Sequence, residues 1–155
     1  IMSEIVKTYM TWNDFDKDIT DFIGYLNEKS FNDGDTVILG MKRGGLPTAV
    51  TLSNKMNLPI STVVFQTRDG NDTVPTFLEP ELIRKAKKII IPDDIYDSGL
   101  TVEKTLEALQ KEFGIDMEQL IGCFHYASEA IDTANIKTYK FSRPKNGAWI
   151  VFPWE

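Results

Sequence analysis

The chain has 155 residues, enough to bury one sizeable core while leaving two independent domains marginal, so a single domain over residues 2–155 is expected. Its 42% hydrophobic and 26% charged residues exclude disordered and fibrous classes, and a formal net charge of -6 argues against nucleic acid as a partner, which would require a basic footprint. The lone Cys123 can form no intramolecular disulfide, and no segment has the apolar length of a membrane span or signal peptide, so a reducing cytoplasm and no membrane partner are expected.

Ile1 ahead of Met2 reads as a remnant of cloning and is set aside. The first predicted element is an amphipathic helix of about four turns, with Asn13 or Asp14 as the expected cap and Phe15, Ile19, Phe22, Ile23 and Leu26 recurring at three- and four-residue steps. After the turn at Asn32 to Asp35, Thr36 to Leu39 reads as a buried strand, Gly40 to Gly45 as a glycine-rich turn, and the stretch to Met56 as a helix. Pro59 introduces a second strand at Ser61 to Gln66, which makes a parallel β-α-β unit the default. Thr67 to Glu79 is polar, contains Gly70 and Pro75, and shows no period, so it is expected to be a long mobile loop. Lys88 to Pro92, Leu100 to Phe113 and Leu120 to Tyr126 complete a strand, helix and strand. The alternation predicts an α/β fold with an open, mostly parallel sheet flanked by helices. The tail Trp149 to Glu155 is apolar and aromatic, and must pack on something.

The most informative segment is the acidic turn at Pro92-Asp93-Asp94-Ile95-Tyr96-Asp97-Ser98-Gly99-Leu100-Thr101, where a buried strand hands over to a helix. In an open parallel sheet the carboxyl end of a strand borders the ligand crevice, and a helix start offers unpaired N–H groups and the positive end of its dipole. A phosphate therefore suits Ser98, Gly99, Leu100 and Thr101, while Asp93 and Asp94 are placed to accept ribose hydroxyls or to hold Mg²⁺. Isolated Asp pairs usually just cap helices and solvate turns; it is the combination with the strand and the Ser-Gly-x-Thr turn that points to a site. The turn Met41-Lys42-Arg43-Gly44-Gly45 also follows a strand and opens a helix, and its glycines permit close backbone approach to an anion.

The 13 consecutive residues Ile89 to Thr101 resemble the phosphoribosyl-pyrophosphate signature of type I phosphoribosyltransferases, with Leu100 standing where many relatives carry Gly or Lys. The resemblance implies that Lys42, Arg43, Gly44 and Gly45 form the pyrophosphate loop, with a non-proline cis peptide at Lys42–Arg43 and Arg43 acting on the leaving group. It implies Mg²⁺ as cofactor at Asp93 and Asp94, and Asp97 beside the base as proton acceptor or anchor. The tail looks like the base-binding segment of the xanthine-guanine group, with Trp149 stacking on a purine and the Ile150 backbone reading its edge. The implied function is a purine phosphoribosyltransferase of purine salvage whose substrates are phosphoribosyl pyrophosphate and xanthine, guanine or hypoxanthine. A homo-oligomer, dimer or tetramer, is the base-rate expectation.

Two features depart from that pattern. Purine-specific relatives place a lysine on the fourth strand, where this chain reads Cys123-Phe124-His125-Tyr126, leaving His125 or Tyr126 as stand-in donors. The 67–79 segment holds Arg68 as its only basic residue, so closure over the site would depend on Mg²⁺ and Lys42 or Arg43. The alternatives are a phosphoribosyltransferase for another base, which the missing lysine favours, and a non-catalytic sensor of phosphoribosyl pyrophosphate, which the acidic surplus disfavours.

Overall fold

A computed structural model describes residues 4–68 and 72–155. Strand β1 (Lys7–Tyr9) leads into α1 (Trp12–Glu28), followed by β2 (Thr36–Met41), α2 (Leu46–Met56), β3 (Ile60–Arg68), β4 (Asp72–Phe77) and α3 (Pro80–Lys85). Then come β5 (Lys88–Tyr96), α4 (Leu100–Phe113), β6 (Leu120–Ala127), β7 (Tyr139–Pro144) and β8 (Trp149–Val151). Six strands form one sheet in the order β4-β3-β2-β5-β6-β7, parallel throughout except for β4. The expected α/β architecture is therefore present, with the fold's centre at β2, β5 and β6.

Period two along β5 sorts the core onto the two faces of this sheet. Ile89 and Ile91 pack with Val102, Leu106 and Leu109 of α4, whereas Ile90 joins Phe15, Ile19, Phe22 and Leu26 of α1 and Ala49 and Leu52 of α2. Helices on both faces explain why β2 and β6 are buried at every position and read as unbroken apolar runs.

Several boundaries differ from the sequence reading. Thr11, not Asn13 or Asp14, caps α1: its hydroxyl accepts the Asp14 N–H at 3.0 Å, and the Asp14 carboxylate accepts the Thr11 N–H at 2.9 Å. The segment expected as a mobile loop is largely a hairpin arm, with Phe65 opposite Pro75 and Val63 opposite Phe77. Its polar composition and its proline suit an edge strand, which needs no N–H on its outer side. Residues 69–71 of that expected loop lie outside the described residues. β5 runs on past Pro92 to Tyr96, so Asp93 and Asp94 belong to the strand.

That extension creates the crevice. β5 pairs with β2 only from Lys88 to Ile90, but with β6 from Ile89 to Tyr96. The ladder to β2 ends two residues before Pro92, which has no N–H to offer it. The carboxyl ends of the two central strands thus stand apart, with the residues after each facing the gap. The tail packs where no sequence pattern placed it: β8 forms a separate parallel pair with β1, Trp149 opposite Lys7 and Tyr9 opposite Val151. No helix among the described residues is long and apolar enough to cross a membrane.

Candidate active site

One wall of the crevice is the end of β5 and the turn into α4. Gly99 has φ +82 and precedes the helix; a Cβ there would be strained and would collide with the Tyr96 hydroxyl. Ser98 Oγ accepts the Leu100 N–H at 3.3 Å, and the Leu100 side chain points to solvent, so a leucine at this position leaves the backbone cradle clear. Asp93, Asp97, Ser98, Gly99 and Thr101 line a small cavity of about 80 Å³. At the mouth of a 14-residue helix, this places phosphate-sized space against free N–H groups.

The opposite wall is the turn after β2. The Lys42–Arg43 peptide is cis, as the resemblance implied. Gly44 and Gly45 each admit a close neighbour. A Cβ on Gly44 would overlap the Asp94 carboxylate, and one on Gly45 would lie 2.8 Å from the Pro92 carbonyl oxygen and 3.0 Å from that of Met41. The glycines therefore allow the turn to close on β5, which brings Arg43, Gly44 and Asp94 to one cavity of about 410 Å³ walled by Trp154 and Glu155. A neighbouring cavity of about 270 Å³ joins Lys42 to Leu100, Thr101 and Lys104.

The carboxylates between these walls differ in state. Asp93 is buried, and its Oδ1 accepts the Asp94 N–H at 2.8 Å. Burial, and then the adjacent Asp94 carboxylate, push its pKa well above the ordinary range. Asp94 Oδ1 accepts the Ile95 N–H at 2.7 Å. Asp97 stands at the crevice rim with its side chain 64% exposed, and Lys145 Nζ lies 3.4 Å from its Oδ2. Among the described residues no group of three or more His, Cys, Asp or Glu side chains surrounds a metal-sized space. Asp93 and Asp94 are two adjacent carboxylates, a pair of oxygen donors of the kind a hard divalent cation takes when its other ligands come from outside the protein.

The structure thus brings together Lys42 to Gly45 with Asp93, Asp94, Asp97 and Ser98 to Thr101. It separates the tail differently from expectation. Trp149 is 59% exposed at the start of β8, and the Ile150 side chain is buried against the apolar core; Trp154 is the tryptophan that walls the Arg43 cavity.

Neither stand-in donor on β6 is available to a base. His125 is fully buried, with Nδ1 2.6 Å from Asp18 Oδ2 and Nε2 2.7 Å from Thr48 Oγ1. Asp18 also accepts two hydrogen bonds from Arg143, at 2.7 and 2.9 Å. Tyr126 is buried as well, with the Arg143 guanidinium 5.3 Å from its ring centre. His125 packs against Phe15 and Phe22 of α1, and Tyr126 packs against Phe152 of the tail.

Sequence reasoning missed Lys104, Trp154, Glu155 and Lys145. Lys104 was legible in principle, because it lies three residues after Thr101 and so shares its helix face. Lys145 had no local signal, since only the return of β7 beside β6 carries it to Asp97.

With this geometry in place, comparisons with known proteins are consistent. Residues 6–155 match the phosphoribosyl transferase domain family model. An orotate phosphoribosyltransferase of Cytophaga hutchinsonii is 32% identical over 89 residues, which span 57% of this chain and 41% of that one. The chain thus matches about two fifths of that relative's length. Among solved structures, a purine phosphoribosyltransferase from Pyrococcus horikoshii superposes with a TM-score of 0.71 at 27% identity, covering 96% of this chain and 93% of that one. A xanthine-guanine-hypoxanthine phosphoribosyltransferase from Helicobacter pylori shares the fold with a TM-score of 0.72 at 20% identity, covering 96% and 93%.

Proposed function

Since this chain belongs to the phosphoribosyl transferase domain family, we propose that it transfers the 5-phosphoribosyl group of phosphoribosyl pyrophosphate to a purine base and releases pyrophosphate, as in purine salvage. The observation that carries this reading is the meeting of two anion-binding turns across one acidic strand end: Lys42 to Gly45 on one side, Ser98 to Thr101 on the other, and Asp93 and Asp94 between. A molecule with phosphate at one end, pyrophosphate at the other and a diol in the middle matches that order of chemistry.

In the reaction the bond from ribose C1 to the pyrophosphate oxygen breaks with its electron pair leaving on oxygen, and a ring nitrogen of the base forms the new bond to C1. The ring proton displaced from the base passes to Asp97 or to water. Lys42, Arg43 and the Gly44 and Gly45 amides face the negative charge that grows on the leaving group, the kind of preorganised electrostatics that usually contributes most to catalysis. Asp93 and Asp94 accept the ribose hydroxyls, and the cation they fit, Mg²⁺, adds further charge neutralisation on the pyrophosphate when bound. A cytoplasmic, homo-oligomeric enzyme is the corresponding setting.

The purine assignment draws support from the similarity to the Pyrococcus horikoshii protein along almost the whole chain. A second reading, transfer to orotate or another base, is favoured by the Cytophaga hutchinsonii match and by the absence of a lysine on β6. Pyrophosphate release measured with hypoxanthine, guanine, xanthine, adenine, orotate and uracil separately decides between them. Asp97→Asn is expected to retain phosphoribosyl pyrophosphate binding while slowing turnover by about 10²–10⁴, the range for a lost general base; unchanged turnover removes Asp97 from the mechanism.

A further inference from the structure

We propose that Lys104 of α4 is a substrate-binding cation that holds the pyrophosphate group opposite Lys42; this rests on the phosphoribosyltransferase reading above.

The cavity of about 270 Å³ that reaches Lys42 is lined by Lys42, Phe65, Thr73, Leu100, Thr101 and Lys104. Two ammonium groups and two hydroxyls face it, and no carboxylate among the described residues lines it. In a chain with 23 acidic and 17 basic residues this is a local reversal of charge. The cavity also runs between the two turns of the site. Lys42 belongs to the turn after β2, and Leu100 and Thr101 border the cavity of about 80 Å³ at the phosphate turn as well. In the proposed substrate the group held at Lys42 is the pyrophosphate, so that is the anion this cavity faces.

The packing of α4 aims Lys104 there. Its neighbour Thr105 is fully buried, with Oγ1 2.8 Å from the Thr101 carbonyl oxygen and 3.7 Å from the sulfur of Met41. Met41 in turn precedes Lys42, so the two lysines flank one buried contact between their neighbours. Lys104 itself is half-buried, and its Nζ donates to the Thr73 carbonyl at 3.4 Å, the long end of hydrogen-bond range. Glu107, three residues on, is the usual kind of helix partner, yet none of the ion pairs among the described residues includes Lys104. An ammonium has three N–H donors, so two stay available to phosphate oxygens. The 67–79 segment brings only Arg68 as a basic residue, and Lys104 adds positive charge from a helix instead. A cation carried on a packed helix is in place before substrate arrives, which is the condition for effective charge stabilisation.

Calorimetric binding of inorganic pyrophosphate and of ribose 5-phosphate to the whole chain, in buffer containing Mg²⁺, tests this. Lys104→Met is expected to weaken pyrophosphate binding about tenfold or more, as for a lost charge-assisted hydrogen bond, and to change ribose 5-phosphate binding less than about twofold. Lys104→Arg, which keeps the charge, is expected to stay within about threefold of wild type. Methionine and lysine have similar helix propensities, so α4 survives the substitution. The proposal is overturned if Lys104→Met binds pyrophosphate within about twofold of wild type, or if both ligands weaken alike, which would put the ammonium at the phosphate turn. It is overturned equally if the wild type binds ribose 5-phosphate but not pyrophosphate. A wild-type chain that binds neither ligand sinks the phosphoribosyltransferase reading itself, and the proposal with it.

Discussion

Asp18 and Asp93 are both buried aspartates, 2% and 9% exposed, yet the fold treats them oppositely. Asp18 receives both arms of Arg143 and one nitrogen of His125, so each of its oxygens has a charged or polar donor. Asp93 receives one backbone N–H and has a second carboxylate as its neighbour. Desolvated charge is tolerable only when paired, so the first arrangement is complete in itself and the second leaves a carboxyl short of donors. The two buried acids thus differ in how fully they are partnered, and the difference is set by donors, not by depth.

The strongest way to break that contrast is to remove the satisfied acid. Asp18→Ala strands the Arg143 charge and empties one side of His125, and is expected to cost about 3–5 kcal/mol in urea unfolding, the usual penalty for breaking a buried pair. A loss under about 1 kcal/mol would show that the network is ornamental to stability.

Removing the unsatisfied acid should do the reverse. Asp93→Asn relieves the repulsion with Asp94 and the desolvation of a carboxylate, so the melting temperature at neutral pH is expected to rise while phosphoribosyl pyrophosphate affinity falls tenfold or more. A drop in both would place Asp93 with Asp18 as a structural group.

Gly44→Ala sharpens the comparison from the other wall. Its Cβ would overlap the Asp94 carboxylate, the end of a side chain able to turn away, so the fold should survive within about 1 kcal/mol while ligand affinity falls severalfold. Thermal melts beside binding isotherms separate the two quantities.

The smallest effect is expected at the α1 cap, far from either acid. Thr11→Ala should cost about 1 kcal/mol. The Asp14 half of that capping box has its own pH signature: the Thr11 backbone N–H it accepts holds its carboxyl below the ordinary value, so its contribution is present above the unfolded pKa and fades as pH falls through the lowered folded one. Urea midpoints of wild type and Asp14→Ala should begin to converge as pH falls below about 4; a gap that stays constant through the acid range would show that the carboxylate contributes nothing through its charge.

Much of the fold was legible because it depends on local pattern. The three consecutive isoleucines of β5 and the helix face of Phe15, Ile19, Phe22 and Leu26 announce their elements through period and composition alone. α4 was bounded correctly at Leu100 and Phe113, since Gly99 and Gly114 flank it in the left-handed region. β1, β7 and β8 were missed because two of them are three residues long and β7, at a sheet edge, has no fully buried position and no period-two pattern, so each is a strand only by virtue of its neighbour. The hairpin arm β4 hid behind a proline for the same reason.

The two turns that build the site were also readable. Strand, glycine or acid, then helix is a chemical arrangement confined to a dozen residues, and helix ends and backbone amides act at short range. What tertiary structure decided was everything that depends on residues distant in the chain: that Trp154 walls the Arg43 cavity while Trp149 faces solvent, that His125 turns into the core toward Asp18, and that Lys145 arrives beside Asp97. Each follows from a strand register, and a shift of one residue along a strand sends a side chain to the opposite face. The sequence by itself determined the two turns proposed to hold phosphate and pyrophosphate, because their chemistry is local; the packing of β6, β7 and β8 determined which distant groups stand beside them.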